Sequence, residues 1–423
     1  MSRLPATLPL GLYRIATALA EPLAGPALRA RARRGKEDAE RLTERLGRIA
    51  LARPAGPLVW LHGVSVGESL SLLPLIRALQ ARRPDVAILV TSGTVTSARL
   101  LAHRLPEGVI HQFAPVDAPG AVRRFLDHWR PDVGVLVESE LWPNLIAGAR
   151  TRGVRLALVS ARMTDASARG WGRAPATARA LLSAFDLVLP QDEATGRRLA
   201  TLGARVGSRL NLKMVGAPLP FDPEELAALR GAAGGRPVVL AASTHPGEEH
   251  LIADAVRDAG PSSLLVVAPR HPERGAAVAA DLAASGWTVA RRAAGEPIGA
   301  AAGAYVADTL GELGLFFELA DVVVMGGGFA PGVGGHNPLE PARHGRPIVT
   351  GPEVFNAADT YREMFSEAAA IEARDAAELS RHVAGLLANP RIARRIGGAA
   401  QAYAARQGEA LDAALALLEP LLP

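Results

Sequence analysis

The sequence predicts an α/β protein built from two doubly wound domains. Three observations carry this. Short runs rich in Val, Ile and Leu alternate with helix-like stretches at Leu58–His62, Val86–Thr91, Val109–Phe113, Val133–Glu138, Arg155–Ser160 and Asp186–Pro190. Continuous apolar runs between helices are what parallel strands covered on both faces require. The alternation pauses at linker-like compositions over 216–223 and 231–237. It then restarts at Pro237–Ser243, Ser263–Pro269, Trp287–Arg291, Ala304–Asp308, Asp321–Gly326 and Pro347–Thr350. Finally, 423 residues with 49% apolar content are enough for more than one packed core.

Taken in order, residues 1–50 form a separate N-terminal segment. It is apolar from Leu4 to Leu28, apart from Arg14 and Glu21, and prolines and glycines interrupt it. Arg29, Arg31, Arg33, Arg34 and Lys36 follow. An apolar stretch leading into a basic cluster suits a membrane-surface anchor. A signal peptide starting from Arg3 and ending near Ala18-Leu19-Ala20, or an amphipathic helix packed on the body, are the alternatives. Residues 51–216 make the first Rossmann-like domain, 217–236 a hinge or linker, and 237–423 the second domain. Alanine and leucine periodicity makes 375–423 helical.

Composition excludes several chemistries. There is no cysteine, hence no disulfide, thiolate nucleophile or Cys-ligated zinc. The net charge of +5 lies wholly within residues 1–50, and the remaining chain is balanced. A nucleic-acid enzyme would carry a basic stripe across its body, so no nucleic-acid partner is expected. No P-loop, no early G-x-G-x-x-G and no metal-ligand spacing is present.

In doubly wound sheets, ligands bind beyond the carboxyl ends of the strands. The first strand runs into Gly63-Val64-Ser65-Val66-Gly67-Glu68, which places Glu68 at a helix start. There it either complements the helix dipole or serves as a general base. The fourth ends in Glu138-Ser139-Glu140-Leu141-Trp142-Pro143-Asn144, whose carboxylates are a paired acid site or simply helix-start acids. Arg162 follows the fifth strand, but one arginine among so many carries little weight. Lys213 is the single lysine after Lys36 in an arginine-rich chain. A compact ammonium kept there suits a charge aimed at phosphate or carboxylate. In the second domain, Ala242–Glu249 reads as an anion site at a helix start or as a simple N-cap with Glu downstream. The glycine-rich Met325–Phe329 and Gly334–Pro341 read as backbone able to approach phosphate, with Glu340 placed to hold ribose hydroxyls.

Five ordered motifs together resemble the 3-deoxy-D-manno-octulosonic acid (Kdo) transferases: His62–Glu68, Glu138–Asn144, Pro269–Arg274, Asp308–Leu313 and Gly334–Pro341. The resemblance implies a GT-B fold, with two Rossmann-like domains facing across a cleft. It implies inverting, metal-independent transfer of Kdo from the donor CMP-Kdo to the lipid A precursor of lipopolysaccharide, with no cofactor. This would occur on the cytoplasmic side of the inner membrane, whose anionic surface becomes a partner. Glu68 would be the base, with Glu138 and Lys213 stabilising the transition state. Pro269, Arg270, Leu310, Gly311, Glu312, Asn337, Pro338, Leu339 and Glu340 would hold CMP. Another GT-B glycosyltransferase using a different nucleotide sugar, a hinged solute-binding protein and a membrane scaffold are the alternatives.

Overall fold

A computed structural model describes residues 4–260 and 262–423, so Arg3 of the signal-peptide alternative lies outside the described residues. The chain divides into two compact units. The first runs to Gly216 and also takes in Gly408–Pro423; the second is Ala217–Gln407.

The first unit holds six parallel strands: β1 Leu58–His62, β2 Ala87–Ser92, β3 Ile110–Phe113, β4 Val133–Val137, β5 Arg155–Ala161 and β6 Leu187–Pro190. Their order is β3-β2-β1-β4-β5-β6. Alternation sends Leu58 and Trp60 to one face, with Phe125, Trp129 and Ile146. Val59 and Leu61 go to the other face, with Leu72, Ile76 and Leu79. Leu411, Ala414, Leu415 and Leu418 share that second cluster. Their i, i+3, i+4, i+7 spacing buries one face of the last turns of helix Pro390–Leu418 against the first sheet. The second domain therefore does not extend to residue 423.

The second unit holds seven parallel strands: β7 Val238–Thr244, β8 Leu264–Pro269, β9 Val289–Arg291, β10 Ala304–Val306, β11 Val322–Met325, β12 Ile348–Thr350 and β13 Ile371–Glu372. Their order is β13-β12-β11-β7-β8-β10-β9. The two-residue β13 has no counterpart among the expected strands, being too short to show a pattern. The segment 217–236 is not an open linker, because Pro223–Ala233 is a helix. Asp222 caps it through the Glu224 and Glu225 N–H groups, Pro223 opens it, and left-handed Gly234 closes it. The Pro and Gly that looked like linker composition are helix start and stop signals.

The N-terminal segment holds a long helix, Leu8–Ala32, which runs through Pro22 and Pro26, and a one-turn helix, Leu42–Arg45. Both prolines are exposed, so the carbonyls they leave unbonded face water, and the helix is not broken. One side docks on the first unit. Tyr13 donates to Asp117 (3.0 Å), Thr17 accepts from Asn144 (2.9 Å), and Glu21 accepts from the Gly120 N–H (2.7 Å). The other side carries Leu8, Leu12, Ile15, Leu19 and Leu23, all 57–77% exposed. At 3.6 residues per turn these five fall on one stripe. Among the described residues, no helix is long and apolar enough to cross a membrane.

Candidate active site

The first sheet reverses its winding between β1 and β4, and that reversal places the two strand ends side by side. Glu68 follows β1 and Glu138 follows β4. Ser65 caps helix Val66–Arg82, and its hydroxyl donates to Glu68 Oε1 (2.6 Å) while the Val64 N–H donates to Oε2 (2.8 Å). This is a capping-box arrangement, with Ser at the cap and Glu three residues on. It uses two of about four carboxylate lone pairs, so the half-buried group can still accept a proton. Burial pushes the Glu68 carboxyl up, and the nearby Glu140 and Glu138 charges push the same way against the two hydrogen bonds.

Glu138 sits at φ +57°, in the left-handed region that a residue with a side chain rarely adopts. Ser160, at the end of the adjacent β5, sits at φ +49°. Such strain gathers at functional sites because the surroundings must impose it. The Ser160 hydroxyl accepts from the Leu212 N–H (3.2 Å), and Asn211 caps the Lys213 N–H (3.1 Å). The loop so held brings Lys213 Nζ within 2.5 Å of Glu138 Oε1. The lysine stem also runs beside Gly67, where an added Cβ would lie 3.8 Å from Lys213 Cε. Glu68, Glu138 and Lys213 are thus neighbours in space, although 145 residues separate the outer two.

Two residues not expected at the site stand behind this group. His62 is buried, with its Nδ1 2.8 Å from the Thr91 hydroxyl and its Nε2 3.5 Å from Glu140 Oε2. The Trp142 indole N–H donates to the same Glu140 oxygen. Glu140 is thereby turned towards His62 and Trp142, leaving Glu138 to meet the ammonium. The alternation of Glu138 and Glu140 was visible in sequence, but their different partners were not.

The expected nucleotide residues all lie at the carboxyl edge of the second sheet. Pro269 ends β8 and is buried, and Arg270 beyond it is exposed. Asn337 Oδ1 accepts from the Leu339 N–H (3.0 Å), and Pro338 precedes the short helix Leu339–Arg343 that carries Glu340. Burial pushes the Glu340 carboxyl up, while Arg343 and Arg270 pull it down. Leu310 is 86% exposed and Gly311 turns at φ +86°. Glu312 faces Arg292 (2.6 Å) and the Thr309 hydroxyl, and Arg292 also binds Glu225 (2.5 Å). The Glu312 carboxylate therefore already has charged partners, and Arg292 holds it below the ordinary range.

One expectation fails. In the glycine-rich Met325–Phe329 after β11 and in the turn after β7, three N–H groups are not open to an anion. Glu248 is 2% exposed and accepts from the Gly327, Phe329 and His245 N–H groups at 2.7, 2.9 and 2.9 Å. Its carboxylate fills the nest that looked ready for phosphate. Glu249 is likewise taken, by Thr244 and Arg274 at 2.9 Å each. Among the described residues, no group of three or more His, Asp or Glu is placed to hold a metal ion.

Two Rossmann-like units, each built on a parallel sheet, are the architecture of the GT-B fold. A solved glycosyltransferase from Rickettsia africae superposes on 87% of this chain and 99% of its own with a TM-score of 0.60, at 9% identity, which speaks to fold alone. Residues 40–215 match the family model described as 3-deoxy-D-manno-octulosonic-acid transferase. The chain is 37% identical to the 3-deoxy-D-manno-octulosonic acid transferase of Bordetella pertussis, over 89% of this chain and 91% of that one. It is 35% identical to a probable mitochondrial 3-deoxy-D-manno-octulosonic acid transferase of Arabidopsis thaliana, over 90% and 88% of the two chains. The chain belongs to the 3-deoxy-D-manno-octulosonic acid transferase family. It is a glycosyltransferase, and the solute-binding and scaffold alternatives fall away.

Proposed function

We propose that the chain transfers Kdo from CMP-Kdo to the lipid A precursor, by inversion and without a required metal. The observation that carries the mechanism is the convergence of Glu68, Glu138 and Lys213 where the first sheet reverses. In this scheme Glu68 takes the proton of the acceptor hydroxyl, and that oxygen forms a bond to the anomeric carbon of Kdo. The bond from that carbon to the CMP phosphate oxygen breaks, and CMP leaves with the electron pair. One displacement at the anomeric carbon inverts its configuration. A base held near its partner supplies roughly 10²–10⁴-fold. Lys213 adds positive charge beside the reacting groups, and Glu138 holds it in place. Arg270, Asn337 and Glu340, with Pro269, Leu310, Gly311, Glu312, Pro338 and Leu339, are proposed to line the CMP site.

The acceptor is a lipid, and the Leu8–Leu23 stripe with Arg29, Arg33, Arg34 and Lys36 beyond it fits an anionic membrane surface. We place the chain peripherally on the cytoplasmic face of the inner membrane, with the helix lying in the interface. Incubation with CMP-Kdo and tetraacylated lipid A precursor, read by mass spectrometry, tests the donor, the acceptor and the number of sugars added. Transfer from a UDP-sugar with none from CMP-Kdo would replace this donor by another.

A further inference from the structure

We propose that His245 and His336 form a one-proton anion site where the second sheet reverses, taking up a proton from solvent as it receives a nucleotide phosphate. This rests on the nucleotide-donor reading above and adds the means by which the phosphate is met.

The strand order sets β7 and β11 side by side. Their ends approach closely, since a Cβ on Gly326 would lie 2.6 Å from the Ser243 carbonyl oxygen. Ser243, at φ +59°, breaks the register of β7 one residue before its end and so sets the direction of His245, and the glycine-rich loop after β11 leads to His336. Gly327, at φ +75°, leaves room for the His336 ring, which would lie 3.0 Å from a Cβ there. The two rings are nearly coplanar, 9° apart, with Nε2 to Nε2 at 2.8 Å.

Three backbone donors at this point already serve Glu248, which favours side chains as the groups that meet an arriving anion. Arg274 is taken by Glu249. Arg270 is exposed and carries no salt bridge among the described residues, and His271 lies 6.3 Å from His245, centroid to centroid. The ring-to-ring hydrogen bond needs one Nε2 to donate and the other to accept. A neutral pair then has a single Nδ1–H. One added proton gives both rings an Nδ1–H and a shared positive charge. A second would set two Nε2–H groups against each other, so the capacity is one.

The groups facing His245 are Glu248, His271, Arg274 and Arg270, and those facing His336 are His245, Arg270 and His271. Burial first, then these cations, pushes His336 down to about 4 and lowers His245, while Glu248 alone opposes. Burial and these cations therefore disfavour the added proton on the pair. An anion adds the missing negative charge and draws the proton in.

Calorimetric titration of CMP into the full chain, in buffers of different ionisation enthalpy, tests this. The expected result is net proton uptake and an affinity that tightens as pH falls, by up to about tenfold per pH unit where the pair titrates. CMP's own phosphate titrates near pH 6, so His245→Gln and His336→Gln are compared with wild type to subtract it. Cytidine, lacking the phosphate, is expected to bind all three proteins without uptake, which also shows the variants are folded. CMP binding with no uptake by wild type, or with equal uptake by both variants, overturns the site alone. Absence of CMP binding to wild type overturns the donor assignment and the site together.

Discussion

Replacing Glu68 by Gln removes a charge and leaves the shape. The Gln carbonyl keeps the Val64 N–H bond, now 2.8 Å, and the new amide faces the Ser65 hydroxyl, which can rotate to accept. Stability should therefore fall by only about 1 kcal/mol. Turnover should fall by roughly 10²–10⁴-fold, or about 3–5 kcal/mol on the barrier, because the amide cannot take a proton. CMP affinity should stay unchanged, since the proposed nucleotide residues belong to the other unit. The pH dependence adds a second reading of the same group. Burial, then Glu140 and Glu138, raise the Glu68 pKa in the fold. The acid limb of kcat/KM in wild type should thus lie above the ordinary carboxylate range and vanish in the variant. For stability the sign runs the other way. A raised carboxyl binds its proton more tightly folded than unfolded, so wild type gains stability as pH falls through the folded value, and gains all of it below the unfolded one. The assay is steady-state Kdo transfer across pH, with denaturant melts alongside. A Glu68→Gln enzyme with near-wild-type turnover and an unchanged acid limb would refute the base assignment.

Lys213→Met should leave Glu138 buried without its partner, costing about 1–2 kcal/mol after discounting for the exposed ammonium, together with a fall in turnover. Lys213→Arg should restore stability more than turnover, because a forked guanidinium does not reproduce a point charge; full kinetic rescue by Arg would show that geometry at this cation is unimportant. Glu248→Ala strips one acceptor from three backbone donors and should destabilise the chain by about 2–4 kcal/mol. An unmoved denaturation midpoint would mean the nest does not depend on that carboxylate. Leu12→Glu with Leu19→Glu should abolish cosedimentation with anionic vesicles, and pelleting equal to wild type would exclude the stripe as the membrane contact.

The strands were legible because each is a local pattern. β1 begins and ends at Leu58 and His62 as the apolar run does, and β13 escaped notice because two residues make no pattern. Glu68 was legible as an acid at a helix start, and Lys213 by its rarity. The helix inside 217–236 was missed because Asp-Pro and Gly mark helix ends as readily as loops. The contact of His62 with Glu140, and the separate fates of Glu138 and Glu140, had no signal in the sequence, since each depends on partners far along the chain.

Local composition thus determined where the backbone extends or coils, because φ and ψ preferences and side-chain periodicity act over a few residues. Which strand lies beside which was decided only by packing two apolar faces at once. The order β3-β2-β1-β4-β5-β6 is what carries Glu138 to Glu68. Tertiary structure likewise filled the glycine nest with Glu248 and returned Leu411–Leu418 to the first sheet. A buried N–H takes whatever acceptor the fold brings, and an apolar stripe whatever face is open, so neither partner is written beside the residue that needs it.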